Sequence, residues 1–155
     1  SRVPCKMLTQ EDLDSVMKPN TEAPMLLQAE LLSEKKIAKQ ASVLFVASAA
    51  ASMPSAGNAA YSASKAAIIA YAKCLAQELA PRQIRVNSIS PAMVWTDLAL
   101  VGATTEQLAE AEKQYPLKRY GQPQDIAHMA VYMLSDASGW MTGSDVQITG
   151  GTQVL

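Results

Sequence analysis

The apolar run Ser42-Val-Leu-Phe-Val-Ala47 leads into a loop of small residues and then a long stretch, Asn58 to Ala80, without Gly or Pro. No other feature limits the folds open to this chain so strongly. A short run rich in β-branched side chains suits a strand buried on both faces of a parallel sheet. The stretch that follows has alanine at 60, 63, 67, 70, 72 and 76, which predicts one long helix over about 59 to 80. Ile84-Arg-Val-Asn-Ser-Ile89 reads as the next strand. The frame is that of an open α/β sheet, whose ligands gather beyond the carboxyl ends of the strands.

That frame gives three side chains a chemical meaning. Ser48 stands at the carboxyl end of the strand predicted over 42 to 48, and Tyr61 and Lys65 fall in the first turns of the helix. Residues four apart project from one helix face, so the ammonium of Lys65 comes close to the phenol of Tyr61. A free tyrosine has a pKa near ~10, and bringing such a group to about 7 needs roughly 4 kcal/mol of differential stabilisation. A nearby lysine in a partly desolvated site supplies much of that, and the positive end of the helix adds to it. Ser48, facing the same space, can hydrogen-bond a substrate carbonyl. A Tyr-x-x-x-Lys pair alone arises by chance in roughly one chain in four of this length; the strand, serine, loop and helix around it are what raise its weight.

Upstream, Thr9-Gln-Glu-Asp12 marks a helix start with Thr9 as N-cap. Its apolar face runs through Leu13, Val16 and Met17 and resumes at Met25, Leu26, Leu27, Leu31 and Leu32, with Pro19 and Pro24 between. Read locally, the prolines either separate two short helices, with Asn20 capping the second, or bend one axis and free backbone groups near Asn20 that hold a water. Downstream, Ser90-Pro91-Ala-Met-Val-Trp-Thr96 is the loop at the end of the second strand. Thr104-Thr-Glu-Gln107 is a capping box opening a short helix to about Tyr115, with Leu108, Ala111 and Tyr115 inward. Pro123 starts an amphipathic helix with Ile126, Met129, Ala130 and Met133 on one stripe and His128 off it, and a last strand follows at about 145 to 149.

These residues resemble the short-chain dehydrogenase/reductase family, and 3-oxoacyl carrier-protein reductase-like members in particular. Tyr61-Ser-Ala-Ser-Lys65 is similar to its Tyr-x-x-x-Lys signature, Ser48 lies thirteen residues earlier, and Asn20 twenty-eight before that. Those are the family's spacings for its catalytic serine and for the asparagine that anchors a proton-relay water. The resemblance implies catalytic roles for Asn20, Ser48, Tyr61 and Lys65, and NAD or NADP as cofactor. It also implies nicotinamide-side contacts from Tyr61, Lys65, Pro91, Val94 and Thr96, and a substrate lid over about 97 to 121. Ala92 stands where the family usually has glycine, so the loop backbone there is either ordinary or slightly displaced. Thr149 replaces the aspartate of the family's closing Asp-Gly-Gly segment.

No glycine-rich strand-to-helix turn occurs in the sequence. The fold class expected is therefore the C-terminal part of a doubly wound Rossmann-type parallel sheet with flanking helices. The chain is one partial domain, 1–155, without the N-terminal strands and the Gly-rich turn. Its first strand would expose an unpaired edge. The missing half is then expected as a second chain or an unobserved segment, with activity belonging to the full-length form.

Composition narrows the rest. A chain of 155 residues, 49% hydrophobic, with formal net charge -1 can bury one ordinary core and presents no nucleic-acid surface. No run of about 18 apolar residues marks a membrane span, and SRVPCKML is too polar for a signal peptide, which points to the cytoplasm. Cys5 and Cys74 lack CxxC spacing and histidine partners, so no metal site is expected. The family resemblance, rather than composition, implies a small carbonyl or alcohol substrate, or an acyl thioester. The small-residue helix, which family members pair across a two-fold axis, implies a homo-oligomeric dimer or tetramer. Two other readings stay open: a non-catalytic chain serving as an oligomerisation or regulatory partner, and a binding module that kept the pocket without turnover.

Overall fold

The computed structural model describes residues 2–96 and 104–152. Helix α1 (Gln10–Met17) starts as expected: the Thr9 hydroxyl accepts the Asp12 amide, and the Asp12 carboxylate accepts the Thr9 amide in return. The prolines do not separate two helices. A π-helical turn over Lys18–Glu22 carries α1 directly into α2 (Ala23–Ser33), with the Ala23 N–H reaching back to the Lys18 carbonyl. Widened turns of this kind absorb a missing N–H. Pro24 has none to give to the carbonyl of Asn20, four residues back.

Strand β1 (Ser42–Val46) pairs in parallel with β2 (Arg85–Pro91), Ser42 opposite Arg85 and Val46 opposite Ile89. Strand β3 (Asp145–Ile148) pairs in parallel with the second half of β2 only, Ser88 opposite Asp145. The order is β1-β2-β3, so β1 is an edge. The unpaired edge expected for this strand is found, and where the apolar run alone suits burial on both faces the strand is half-buried, with Val46 56% exposed. The physical reason is that no described strand lies beyond it. In a parallel pair alternate residues engage the neighbour. The Arg85 amide takes the Ala41 carbonyl, and the Ala47 amide gives to Ile89. The alternation therefore turns the backbone groups of Ser42, Leu44 and Val46 toward the open edge.

Helix α3 (Ala59–Leu79) crosses between β1 and β2 and covers one face of the sheet. Its Ala72, Leu75, Ala76 and Leu79 meet Ile84 and Val86 in the buried core, with Val43, Phe45 and Tyr71 packed against them. Phe45 and Tyr71 meet edge to face at 5.8 Å. Helix α4 (Thr105–Glu112) has the expected capping box between Thr104 and Gln107 and buries Leu108. Helix α5 (Pro123–Leu134) turns Met133 fully inward and leaves His128 exposed.

The C-terminal end of α5 is fastened to the sheet by Arg85. Its guanidinium donates to the carbonyls of Met133 at 3.0 Å, Ser135 at 2.9 Å and Met141 at 3.4 Å, and to the Ser138 hydroxyl at 2.9 Å. Ser42, its partner in register, donates to the same Met133 carbonyl at 2.9 Å. The N-terminal end of α5 is held by Arg119, whose guanidinium grips both carboxylate oxygens of Asp125 at 2.6 and 3.2 Å. Arg119 first, and then the Gln122 amide, hold the Asp125 carboxyl well down, at about 2. Among the described residues no helix is long and apolar enough to cross a membrane.

Replacing Arg85 with Met should destabilise the protein by about 2–4 kcal/mol, because several helix-end acceptors lose their donor at once; chemical denaturation of the full-length protein measures it. Asp125→Asn should lower Tm at neutral pH. The carboxyl is depressed in the folded state, so its contribution is complete above its ordinary 3.8 and disappears as pH falls toward 2. The Tm gap between wild type and variant should accordingly narrow as pH is lowered from about 5 to about 3.

Candidate active site

Ser48 is where β1 stops being a strand. The Ala47 amide still reaches the Ile89 carbonyl at 2.8 Å, and Ser48 keeps extended angles of φ -164 and ψ 148. Its Oγ then accepts the Ala50 amide at 3.2 Å, starting a 3-10 turn over Ala49–Ala51. That bond uses the oxygen as an acceptor and leaves the hydroxyl proton to be given elsewhere.

Tyr61 and Lys65 lie in the first two turns of α3, on one face as their spacing requires. The ammonium of Lys65 is 5.8 Å from the centre of the Tyr61 ring and donates to the Val46 carbonyl at 3.1 Å. That carbonyl belongs to the edge-facing set of β1, free of the ladder and two residues short of Ser48. One hydrogen bond thus joins the helix that carries Tyr61 and Lys65 to the strand that leads to Ser48. Burial pushes the Lys65 ammonium below its ordinary pKa, so the group parts with a proton more readily than a lysine in water.

Asn20 enters through the neighbouring residue. Its Nδ2 donates to the Ser64 hydroxyl at 3.2 Å, and the Thr21 hydroxyl donates to the Ser64 carbonyl at 3.2 Å. The π turn is thereby docked on the same stretch of α3 that carries Tyr61 and Lys65. With the side-chain amide engaged, the Asn20 backbone carbonyl lacks its usual donor four residues on, because Pro24 has no N–H.

The loop after β2 lies beside these groups. Carrying the β1-β2 register onward sets Ser48 level with Pro91. Val94 forms a parallel bridge with Gly121, in which the Gly121 amide goes to the Met93 carbonyl at 3.0 Å and the Trp95 amide to the Gly121 carbonyl at 2.9 Å. The two bonds straddle Val94 and leave its own N–H and C=O out of the pair. Ala92 is not among the residues with positive φ, and its amide meets Ile148 at 3.0 Å. Of the two alternatives for this alanine, the ordinary backbone is the one found. Thr96 is exposed at the edge of the described residues. The first part of the expected lid, 97–103, lies outside them.

Several participants carry no motif. Val46 acts only through its carbonyl, and Ser64 sits inside the signature as a variable position. A serine three residues after Tyr61 inside a helical stretch is the one trace it leaves in the sequence. Glu112 is similar. One of its oxygens takes both the Trp95 indole at 2.6 Å and the Tyr120 amide at 2.8 Å, while Tyr120 packs on Trp95 and Tyr115 at 5.6 and 5.1 Å. This clamp fixes the end of α4 against the loop after β2.

The model of the Enoyl-(Acyl carrier protein) reductase family matches residues 2–153. A 3-oxoacyl-(acyl-carrier-protein) reductase of Chlamydia pneumoniae is 35% identical over 144 residues, which is 93% of this chain and 58% of the relative. Human dehydrogenase/reductase SDR family member 4 is 34% identical over 94% of this chain and 52% of its own length. This chain therefore spans little more than half the length of those relatives. Among solved structures, a glucose/ribitol dehydrogenase-type protein from Brucella melitensis superposes with a TM-score of 0.87 at 29% identity, covering 97% of this chain and 60% of that one. A 4-hydroxyisoleucine dehydrogenase complexed with NADH superposes with a TM-score of 0.83 at 33% identity, covering 97% and 63%. The chain belongs to the short-chain dehydrogenase/reductase family.

Proposed function

We propose that the whole protein is an NAD(P)-dependent oxidoreductase acting on a small carbonyl or alcohol, or on an acyl thioester, with Asn20, Ser48, Tyr61 and Lys65 as its catalytic groups. The observation that carries this reading is the bond from Lys65 to the Val46 carbonyl with Tyr61 under the same ammonium. It is supported by the reductase and dehydrogenase names of the relatives and by NADH in one structural neighbour.

The donor set suits the nicotinamide end of such a cofactor. Lys65 spends one N–H on Val46, and the other two have no protein acceptor among the described residues, which matches a ribose diol. The unengaged backbone of Val94, with Pro91 and Thr96 beside it, suits a carboxamide that both donates and accepts. Hydride chemistry is what the nicotinamide supplies when bound. A glycine-rich grip for the pyrophosphate falls, in this reading, to the remainder of the protein.

The chain's own residues handle the oxygen and its proton. The free hydroxyl proton of Ser48 hydrogen-bonds the substrate oxygen and orients it. In reduction Tyr61 gives its proton to that oxygen as negative charge develops there; in oxidation the phenolate takes it back. Lys65 favours the phenolate by charge, and its lowered affinity for its own proton suits a relay from water held at the Asn20 carbonyl. The open edge of β1 is covered by a parallel strand from the remainder of the protein. The exposed small residues of α3, Ala63, Ala66 and Ala70, together with Leu26 and Leu27 on α2, form a face on which a second copy packs.

In the full-length protein, Tyr61→Phe should lower kcat/KM by about 100- to 10,000-fold while leaving the thermal melt in place. Activity surviving within a few-fold would remove Tyr61 from the acid/base role. Ala70→Arg should shift the native mass in light scattering to a smaller species, since a charged side chain does not fit a close helix pair; an unchanged mass places the interface elsewhere.

A further inference from the structure

We infer that Ser64 is a positioning residue for this reaction, setting the Asn20 turn against the helix that carries Tyr61 and Lys65; the inference rests on the oxidoreductase reading above. Ser64 is completely buried, 0% exposed, in the second turn of α3. A hydroxyl in that place needs partners, because burying it without them costs free energy and because serine otherwise competes with the helix ladder. It has two. Its O–H donates to the Tyr61 carbonyl at 2.7 Å, and its oxygen accepts Asn20 Nδ2 at 3.2 Å. Its backbone carbonyl takes a third bond, from the Thr21 hydroxyl at 3.2 Å.

The geometry of those bonds is what makes the residue more than filling. Two consecutive residues of the π turn, Asn20 and Thr21, attach to one residue of α3, through its side chain and through its backbone. Two attachments at different atoms fix rotation as well as distance, so the turn can neither slide along α3 nor roll on it. With Nδ2 held, the carbonyl of Asn20 keeps one direction. Ser64 is bonded to Tyr61 within the helix and is the chain neighbour of Lys65, so the direction is kept relative to both. Burial alone does not produce this arrangement. Ser62, also buried on α3, has no partner for its hydroxyl among the described residues.

A double-mutant cycle in the full-length protein tests it. Ser64→Ala should lower kcat about tenfold with KM for the carbonyl substrate unchanged. In an Asn20→Ala background the same change should cost less than about twofold, because the residue acts through Asn20. Asn20→Asp, which leaves Ser64 intact and removes the Nδ2 donor, should lower kcat to within about twofold of Ser64→Ala, and it answers the question if Ser64→Ala does not fold. Full additivity of Ser64→Ala and Asn20→Ala, a loss confined to KM, or wild-type kcat in Asn20→Asp would each overturn the role. Wild-type activity in Tyr61→Phe would instead overturn the reading of the site itself, which keeps the two failures apart.

Discussion

A lysine ammonium half-buried between a helix and the end of a strand must find oxygen, and Lys65 finds the carbonyl of Val46. The bond exists because β1 is parallel to its neighbour. In that geometry alternate residues spend their backbone groups on the ladder, and Val46 is one of those left out. Shifting β1 by one residue would hand its carbonyl to Ile89 and turn every side chain of the strand to the other face. Val43 and Phe45 would then leave the core that holds α3 in place. The position of the ammonium over the Tyr61 ring and the packing of the core are thus consequences of one register.

The second register of the sheet, β3 on β2, is held by polar groups in the interior. Strand β2 buries Asn87, Ser88 and Ser90 as well as Val86 and Ile89, an arrangement tolerable only because each polar atom is spoken for. Asn87 donates to the Met141 carbonyl at 2.8 Å and accepts the Ser144 amide at 3.0 Å. Ser88 and Ser90 both donate to the Asp145 carboxylate, at 2.7 and 2.8 Å. Apolar side chains would allow β3 to slide on β2, whereas these bonds are satisfied in one alignment only. At the other end of the strands Arg85 and Ser42 bind the last turn of α5. The carboxyl ends, where Ser48 and the loop after Pro91 stand, are therefore presented by strands fixed at both ends.

What was legible in the sequence was what local physics controls. The caps at Thr9 and Thr104, the start of α5 at Pro123 and the long α3 follow from residue type and spacing, as does the common face of Tyr61 and Lys65. The π turn at Lys18–Glu22 was not decidable locally. Pro19 and Pro24 are compatible with a break or a widened turn, and it is docking on Ser64 that selects the second. The open edge of β1 was legible only through an absence: its apolar run, read alone, suits a strand covered on both faces, and it is the lack of a preceding strand in the sequence that leaves it at the edge. Ser64, Glu112 and the Val46 carbonyl were invisible because their roles are made by partners distant in sequence, and a backbone carbonyl has no residue type at all.

Val46 joins these strands of reasoning. Its side chain is the exposed end of an open sheet edge, while its carbonyl is the acceptor for Lys65. An element laid on that edge would exclude water from the bond as well as from the side chain. Lower local dielectric strengthens both the hold on the ammonium and the attraction between that ammonium and a phenolate at Tyr61. In the proposed reading, then, covering β1 does more than protect a sticky edge. It tightens the electrostatics on which the acid/base chemistry of Tyr61 depends, so that completing the sheet and activating the tyrosine become the same physical event.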